Sequence, residues 1–296
     1  MNSSSIKEQV SKVEQIICND PGNRGISKLF QPNNLYLSSL EILKTPKQKK
    51  SFILTGFCCL FPTSETDGPL GSSILNSTLN YLEYNNYLLT DSFSEKVIKA
   101  ASKTNKVVIE NSYETFLEKN KENDISFIVS VERPGRSLKT KDYRTMRAKD
   151  ITNQNCNLDL LFPGENEKKN YLTIGIGDGG NECGTGNIYK EVQKYVYLGD
   201  DICTDRFCDY LIMTGVSNWG ALALAAALVI QSQDNDAKQF FIKECHSQKQ
   251  ILENIISNGS YDGVTGKAEL SIDGMEFDKQ HWDVIQKIVE VVKETI

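Results

Sequence analysis

Residues 171–187 combine an apolar run with a glycine-rich loop that carries three polar side chains. The sequence is Y-L-T-I-G-I-G-D-G-G-N-E-C-G-T-G-N, and its first six residues predict a buried strand. Glycine lets the backbone adopt positive φ and approach a ligand closely. Asp178, Asn181 and Glu182 lie in this loop, so two carboxylates and an amide fall on one short stretch of chain. An acidic, solvated loop is the alternative, but the density of glycines favours the centre of a functional site.

A second acidic segment, S-E-T-D-G-P-L-G at residues 64–71, carries Glu65 and Asp67. Together with Asp178 and Glu182, these residues would form a cluster of candidate catalytic carboxylates. Crowded carboxylates repel one another unless they are protonated or bridged by a cation, and oxygen ligands select a hard ion. We therefore predict Mg²⁺ or Mn²⁺ bound by Asp67, Asp178 and Glu182. The alternative is that Glu65 and Asp67 only cap the helix that follows them.

Arginines and helix-terminal polar residues supply candidate groups for an anionic substrate. Arg133 and Arg136 stand on either side of a P-G turn, and Arg147 follows in the same long loop. Bidentate guanidinium groups suit carboxylates and phosphates. Ser217 and Asn218 are expected at a helix N-terminus, where anions bind readily. With Asn181, these residues are the predicted substrate-binding set, although either of the first two arginines could instead pair with the acidic loops.

The motif Gly175-x-Gly177-x-x-Gly180 matches the dinucleotide fingerprint but carries the wrong neighbours for it. Asp178 and Glu182 would face a pyrophosphate, and G-T-G rather than a helix follows. We therefore expect no nucleotide cofactor. A Ser-His-Asp hydrolase is also disfavoured, because the sequence has no G-x-S-x-G elbow and both histidines lie far from these loops.

The elements that must position these loops alternate between strands and helices. Apolar runs predict strands at 51–57, 87–90, 106–109, 125–131, 171–176 and 210–213. Amphipathic or apolar patterns predict helices at 6–18, 33–43, 71–84, 94–103, 112–121, 188–195, 218–231, 236–257 and 278–295. Such alternation predicts an α/β fold, a mostly parallel, Rossmann-like three-layer sheet with helices on both faces. We expect residues 1–296 to form one domain, with a helical cap at 1–50, a core at 51–296 and a short terminal strand at 270–272.

The parallel arrangement is what joins the candidate residues into one site. Ligands of open parallel sheets bind beyond the carboxyl ends of the strands. Polar loops follow the strands ending near residues 57, 131, 176 and 213, so all four loops should lie on one rim. Any one of them alone would be weak support for a site, whereas four that converge are much stronger.

Composition limits the classes of partner. The chain has 296 residues and a net charge of −6, which argues against general nucleic-acid binding. The longest apolar stretch, Trp219–Ile230, suits a buried helix better than a membrane span. Eight scattered cysteines without a C-x-x-C motif indicate reduced thiols. We expect a cytoplasmic protein rather than a mitochondrial one, with a small acidic substrate, no membrane or nucleic-acid partner, and scope for a homodimer.

Six motifs follow one another along the chain: E-T-D-G-P (65–69), E-R-P-G-R (132–136), Y-R-T-M-R (143–147), G-I-G-D-G-G-N-E (175–182), G-V-S-N-W-G (215–220) and D-G-V-T-G (262–266). In this order they resemble the D-glutamate cyclase C-terminal domain family, over roughly residues 51–296. Larger mitochondrial members carry an additional N-terminal domain and a targeting segment, so we expect a standalone member. One departure is Arg147–Ala148, where some members have glycine.

The resemblance implies a carbon–oxygen lyase that converts D-glutamate to 5-oxo-D-proline with loss of water. Such a site must neutralise the attacked carboxylate, take protons from the amine and protonate the departing oxygen. A metal held by Asp178 and Glu182, or else Arg136, would polarise the carboxylate, and Glu65 or Asp67 would carry the proton. A metal-dependent phosphoester hydrolase and a non-catalytic acidic amino-acid-binding protein are the alternatives.

Overall fold

The computed structural model describes residues 3–296, and its centre is a six-stranded parallel sheet. The strands are β1 (Lys50–Thr55), β2 (Asn85–Thr90), β3 (Val107–Ile109), β4 (Ile125–Val131), β5 (Leu172–Gly177) and β6 (Tyr210–Met213). They pair in the order β3-β2-β1-β4-β5-β6, and every pairing is parallel. This is a doubly wound order: β2 and β3 are added on one side of β1, and β4, β5 and β6 are then added on its other side. The predicted α/β class is confirmed.

Eleven α-helices connect and cover the strands within residues 3–296. They are α1 (Ser3–Ile17), α2 (Asn34–Lys44), α3 (Pro69–Tyr81), α4 (Glu95–Ala101), α5 (Tyr113–Lys119), α6 (Tyr189–Tyr195), α7 (Gly199–Ile202), α8 (Ser217–Ser232), α9 (Asn235–Cys245), α10 (Gln248–Ser257) and α11 (Trp282–Lys293). Alternate residues of β4 point to opposite faces of the sheet, as its pleat requires. Phe127 and Val129 join the core formed with α3, α8 and α11, whereas Ile128 packs in the core that contains Phe116 of α5.

Helix α8 is the central element of the larger helical layer. All its residues from Ser217 to Ile230 are buried, as the apolar sequence predicted. The N-terminal helices α1 and α2, which we predicted to cap the core, both pack against α8. The loop between them reaches the carboxyl edge of the sheet, where it supplies Arg24. None of the helices in the described residues 3–296 is both long and apolar enough to span a membrane.

Near the C-terminus, one predicted helix is divided in the structure, whereas the predicted short terminal strand is present. The helix predicted over 236–257 is divided into α9 and α10, because Ser247 donates both its N–H and its hydroxyl to the carbonyl of Glu244. These bonds close α9 with a tight turn. The short terminal strand predicted at 270–272 is confirmed, and it lies outside the main sheet. It forms a separate antiparallel hairpin of β7 (Ser271–Ile272) and β8 (Met275–Glu276), and a π-helical turn at Phe277–His281 precedes α11.

Candidate functional site

The loops at the carboxyl edge of the sheet surround a cavity of about 600 Å³. The prediction that polar loops would meet on one rim is confirmed: the loop after β4 pairs with the glycine-rich loop after β5, where Gly135 donates its N–H to the carbonyl of Asn181 at 2.9 Å. Five carboxylates and three cations line the cavity. They are Glu65, Glu132, Asp178, Glu182 and Asp273, with Arg24, Arg147 and Lys149.

The glycine-rich loop binds its own carboxylate. Glu182 accepts hydrogen bonds from the backbone N–H groups of Asp178 (3.2 Å), Gly179 (2.7 Å) and Gly180 (2.8 Å). A Cβ added at Gly177 would lie 2.7 Å from Oε2 of Glu182, so a side chain there would collide with this carboxylate. The N–H groups that would hold a pyrophosphate in a dinucleotide fold therefore already have an anion. The absence of a nucleotide cofactor stays a prediction.

Asp178 is paired with an arginine that the sequence reasoning missed. Nη1 of Arg24 lies 2.7 Å from Oδ2 of Asp178, and its Nη2 lies 3.1 Å from Oδ1 of Asp273. Burial raises the pKa of Asp178 well above its ordinary value, while Arg24 opposes this shift. Burial alone would lower the pKa of Arg24, but the charges of Asp178 and Asp273 outweigh that effect and hold its pKa well above the ordinary value.

Glu65 and Glu132 are two buried carboxyl groups of the cavity wall. Each is at most 7% exposed. Burial, followed by the charges of Asp273 and Asp67, raises the pKa of Glu65 well above 4.5. Burial and neighbouring carboxylates also raise the pKa of Glu132 well above its ordinary value. Both groups can therefore hold a proton near neutral pH, which is what proton transfer in a site requires.

Backbone geometry indicates that both glutamates are held in place. Glu132 has φ 46°, a left-handed conformation that a residue with a side chain adopts only when its surroundings impose it. A Cβ built on Gly263 would lie 1.5 Å from Oε2 of Glu65, so the D-G-V-T-G loop can pass this carboxylate only as glycine. Glu132 could have been suspected from its place directly after β4.

Asp67 stands at the N-terminus of α8 and does not line the cavity. It accepts the N–H groups of Ser217 at 2.9 Å and Asn218 at 2.8 Å, where the helix dipole favours negative charge. Burial and Asp273 nevertheless raise the pKa of Asp67 to about 7. Ser217 donates its hydroxyl to Glu132 at 2.6 Å, and Asn218 accepts the N–H of Gly71 at 2.8 Å. These predicted substrate-binding residues therefore connect the rim loops.

The three predicted arginines are separated by the structure. Arg133 is fully buried against Asp91, with Nη2 2.7 Å from its Oδ2, and Arg136 pairs with Asp159 at 2.9 Å. Neither lies on the cavity wall, because each guanidinium group is held by an aspartate outside the acidic loops that we considered as alternative partners. Arg147 does line the cavity together with Lys149, and within residues 3–296 neither of these two cations makes an ion pair. Asn181, also on the wall, donates its amide to the carbonyl of Arg144.

Replacing Arg133 with methionine is expected to lower the free energy of unfolding by about 3–5 kcal/mol, because Asp91 would remain buried without its counter-ion. The change also removes hydrogen bonds to the carbonyls of Gly56 and Cys156. Urea denaturation measures the effect. The double change Arg133→Met with Asp91→Asn removes both charges and should recover part of the loss. A loss below about 1 kcal/mol in the single variant would contradict a stabilising role for the pair.

Two groups of three carboxylates could hold a cation. In each group the oxygen atoms lie within 4.8 Å of one another, and the groups are Asp67, Asp178 and Asp273, and Glu132, Asp178 and Glu182. The predicted ligand set of Asp67, Asp178 and Glu182 is divided between them. Oxygen donors fit a hard divalent ion. Arg24 already contacts two carboxylates of the first group, so the second group has the greater excess of negative charge.

The fold and site together define a doubly wound α/β protein with an acidic cleft at its topological switch. A family described as "D-glutamate cyclase-like, C-terminal" matches residues 13–289, and the chain belongs to this family.

A curated relative, the mitochondrial D-glutamate cyclase of Homo sapiens, is 28% identical over 98% of this chain. The chain spans 53% of that relative's length. Among solved structures, an exopolyphosphatase-related protein from Bacteroides fragilis aligns with 89% of this chain and 58% of its own, at 8% identity and a TM-score of 0.41.

Proposed function

We propose that this protein is a D-glutamate cyclase-like lyase, which closes D-glutamate into 5-oxo-D-proline with loss of water. Family membership and the human relative support the class of reaction. The observation that carries the proposal is the cavity itself, in which buried carboxyl groups with raised pKa values stand beside Arg24, with Arg147 and Lys149 on the same wall.

The reaction joins the amine nitrogen to the carbon of the distant carboxyl group and breaks one carbon–oxygen bond there. The ammonium group gives up two protons in all, and the departing oxygen leaves with both as water. A carboxylate whose pKa is raised is a stronger base than an ordinary one, so it can accept each proton from the nitrogen in turn and pass it to the departing oxygen. We assign these proton transfers to Glu65 and Glu132, because both face the cavity and both have raised pKa values.

A folded substrate also needs complementary charge. Its ammonium group is attracted by the acidic wall, and its two carboxylates need cations. Within residues 3–296, the cavity wall offers Arg24, Arg147 and Lys149 for this purpose. Holding the amine against the carboxyl group in one conformation supplies the proximity that the reaction requires.

A divalent cation belongs to the proposal as a second source of positive charge. Glu132, Asp178 and Glu182 would hold Mg²⁺ or Mn²⁺. When bound, the ion would polarise a carboxyl oxygen as a Lewis acid. With the ion bound, Glu132 and Asp178 would remain ionised, since a bridging cation removes the repulsion between them, and Glu65 would then carry the proton.

The acidity of the wall also weighs against the phosphoester hydrolase that we considered. A phosphate dianion would meet five carboxylates, and the N–H groups of the glycine-rich loop are occupied by Glu182. A binding protein for acidic amino acids would need the same cations but no proton carriers. Turnover therefore separates these functions. The homodimer and the cytoplasmic location stay predictions.

Proton NMR of the metal-stripped protein with D-glutamate, L-glutamate and 5-oxoproline tests the proposal. We expect interconversion of D-glutamate and 5-oxo-D-proline only, and faster conversion after Mg²⁺ or Mn²⁺ is added. Asp178→Asn should reduce turnover strongly, whereas Asp278→Asn, at an exposed residue before α11, should not. Binding of D-glutamate without any conversion would indicate the binding protein, and release of phosphate from an aryl phosphate would indicate the hydrolase.

A further inference from the structure

Arg24 reaches the cavity from a loop whose backbone is fixed by its own aspartate. Asp20 accepts the N–H groups of Arg24 (2.9 Å), Gly25 (2.8 Å) and Ile26 (3.1 Å). Gly25, with φ 87°, provides the left-handed turn that this loop needs. The Arg24 side chain that projects from the loop is only 18% exposed. It is therefore a positioned cation rather than a mobile surface arginine.

The charges around Arg24 differ from those around the other two cations of the cavity. Arg24 contacts Asp178 and Asp273, and the proton carriers Glu65 and Glu132 line the same wall. Its two ion pairs need only two of the five N–H donors of a guanidinium group. Arg147 and Lys149 belong instead to an exposed loop.

The chemistry of ring closure assigns the two substrate carboxylates to different places. The attacked carboxyl group becomes part of the ring and must lie near the groups that move protons. The other carboxylate remains outside the ring, on the carbon that bears the nitrogen, and takes no part in bond making. A substrate that places its reacting atoms against the buried glutamates therefore presents this second carboxylate to the exposed side of the cavity.

We infer that Arg24 is a catalytic residue that binds the attacked carboxylate, while Arg147 and Lys149 bind the carboxylate that does not react. The inference rests on the proposed cyclase function and deepens it. Arg24 stabilises the negative charge that gathers on the attacked oxygen atoms when nitrogen adds to the carbon. Asp178 and Asp273 hold the guanidinium group in position, and the substrate carboxylate binds its remaining N–H donors.

Steady-state kinetics with D-glutamate test this division of roles. Arg24→Gln should lower kcat about 100-fold, because it removes a donor that acts in the transition state. The double change Arg147→Ala with Lys149→Ala should raise KM about 10- to 100-fold and change kcat only a few-fold, because it removes contacts that ground state and transition state share. Lys28→Ala, an exposed residue after the Arg24 loop, is the matched control and should match the wild type.

A substrate analogue and chemical rescue separate catalysis from a structural role of Arg24. With the analogue in which the non-reacting carboxylate is an amide, the Arg147 and Lys149 changes should lose their effect, whereas Arg24→Gln should keep its own. Added guanidine should restore part of the turnover of Arg24→Ala, which repair of a merely structural contact would not do. An Arg24→Gln variant that changes KM alone, or equal effects of both sets of variants on both substrates, would overturn the inference.

Failure of the proposed function can be recognised separately. If the wild type converts neither D-glutamate nor 5-oxo-D-proline, the cyclase proposal fails, and calorimetric binding of D-glutamate becomes the readout for Arg24. Arg24→Gln should then weaken binding at least 10-fold. Binding as tight as that of the wild type would overturn the inference as well.

Discussion

Replacing Glu132 with glutamine is expected to lower kcat for D-glutamate about 100- to 10,000-fold, the usual effect of losing a proton-transferring group. Glutamine keeps the shape of the side chain and can still accept the hydroxyl of Ser217, which lies 2.6 Å from Glu132. It cannot take or give the proton that the reaction moves. Initial rates of 5-oxoproline formation, measured at saturating substrate with the metal-free protein, give the comparison.

The stability of the same variant should remain equal to that of the wild type or rise. Burial raises the pKa of Glu132, with further contributions from Glu182, Asp67 and Glu65, so its charged form is unfavourable in the folded protein. A neutral amide removes that cost. Glu165→Gln, at an exposed position, controls for the chemical change and should alter neither property. Unchanged kcat together with a lower melting temperature would instead make Glu132 a structural partner of Ser217.

Much of the site could be predicted because its residues follow strands. The parallel order of the sheet brings together the loops after β1, β4, β5 and β6, so Glu65, Asp178 and Glu182 could be joined before their contacts were known. Hydrophobic patterns located these strands, and their parallel direction placed the loops that follow them at one edge of the sheet. The same reasoning identified Arg147 as a cavity residue.

Residues outside this pattern could not be found in that way. Arg24 lies in N-D-P-G-N-R-G, whose composition predicts only a turn between two helices. Asp273 lies in a hairpin turn that is separate from the main sheet. Both reach the cavity through the packing of distant segments. No local periodicity reports such contacts.

Residue type alone also failed to separate structural from chemical roles. Arg133 and Arg136 are followed along the chain by Arg147, but only burial against Asp91 and Asp159 shows that the first two anchor the long loop. Asp67 differs from the Glu65 beside it in a similar way, since its oxygens accept the N–H groups at the start of α8. Which polar groups a side chain meets depends on tertiary contacts.

The metal-free protein is expected to lose stability as pH rises from 6.5 to 8.0, and Mg²⁺ or Mn²⁺ should reverse this loss. Glu65, Glu132 and Asp178 have folded-state pKa values raised well above their unfolded values, and burial raises the pKa of Asp67 to about 7. The folded state therefore binds more protons than the unfolded state. The free energy of unfolding falls as pH rises through the folded pKa values. Each carboxyl group that stays protonated when folded contributes a loss of about 2 kcal/mol over this interval.

Thermal melting in a chelator, and then with added ion, measures both effects. Burial lowers the pKa of His281, so under acid conditions this histidine makes the free energy of unfolding rise with pH. The interval from pH 6.5 to 8.0 avoids that opposite contribution. A bound cation replaces protons between the carboxylates, so its stabilisation should be greater at pH 8.0 than at pH 6.5. Glu132→Gln should flatten the pH dependence and weaken the response to metal, because it removes one carboxyl group of the second cation group. Equal stabilisation by the ion at pH 6.5 and pH 8.0 would indicate weak binding at exposed carboxylates. Arg24 would then be the counter-ion of the buried carboxyl groups of the cavity.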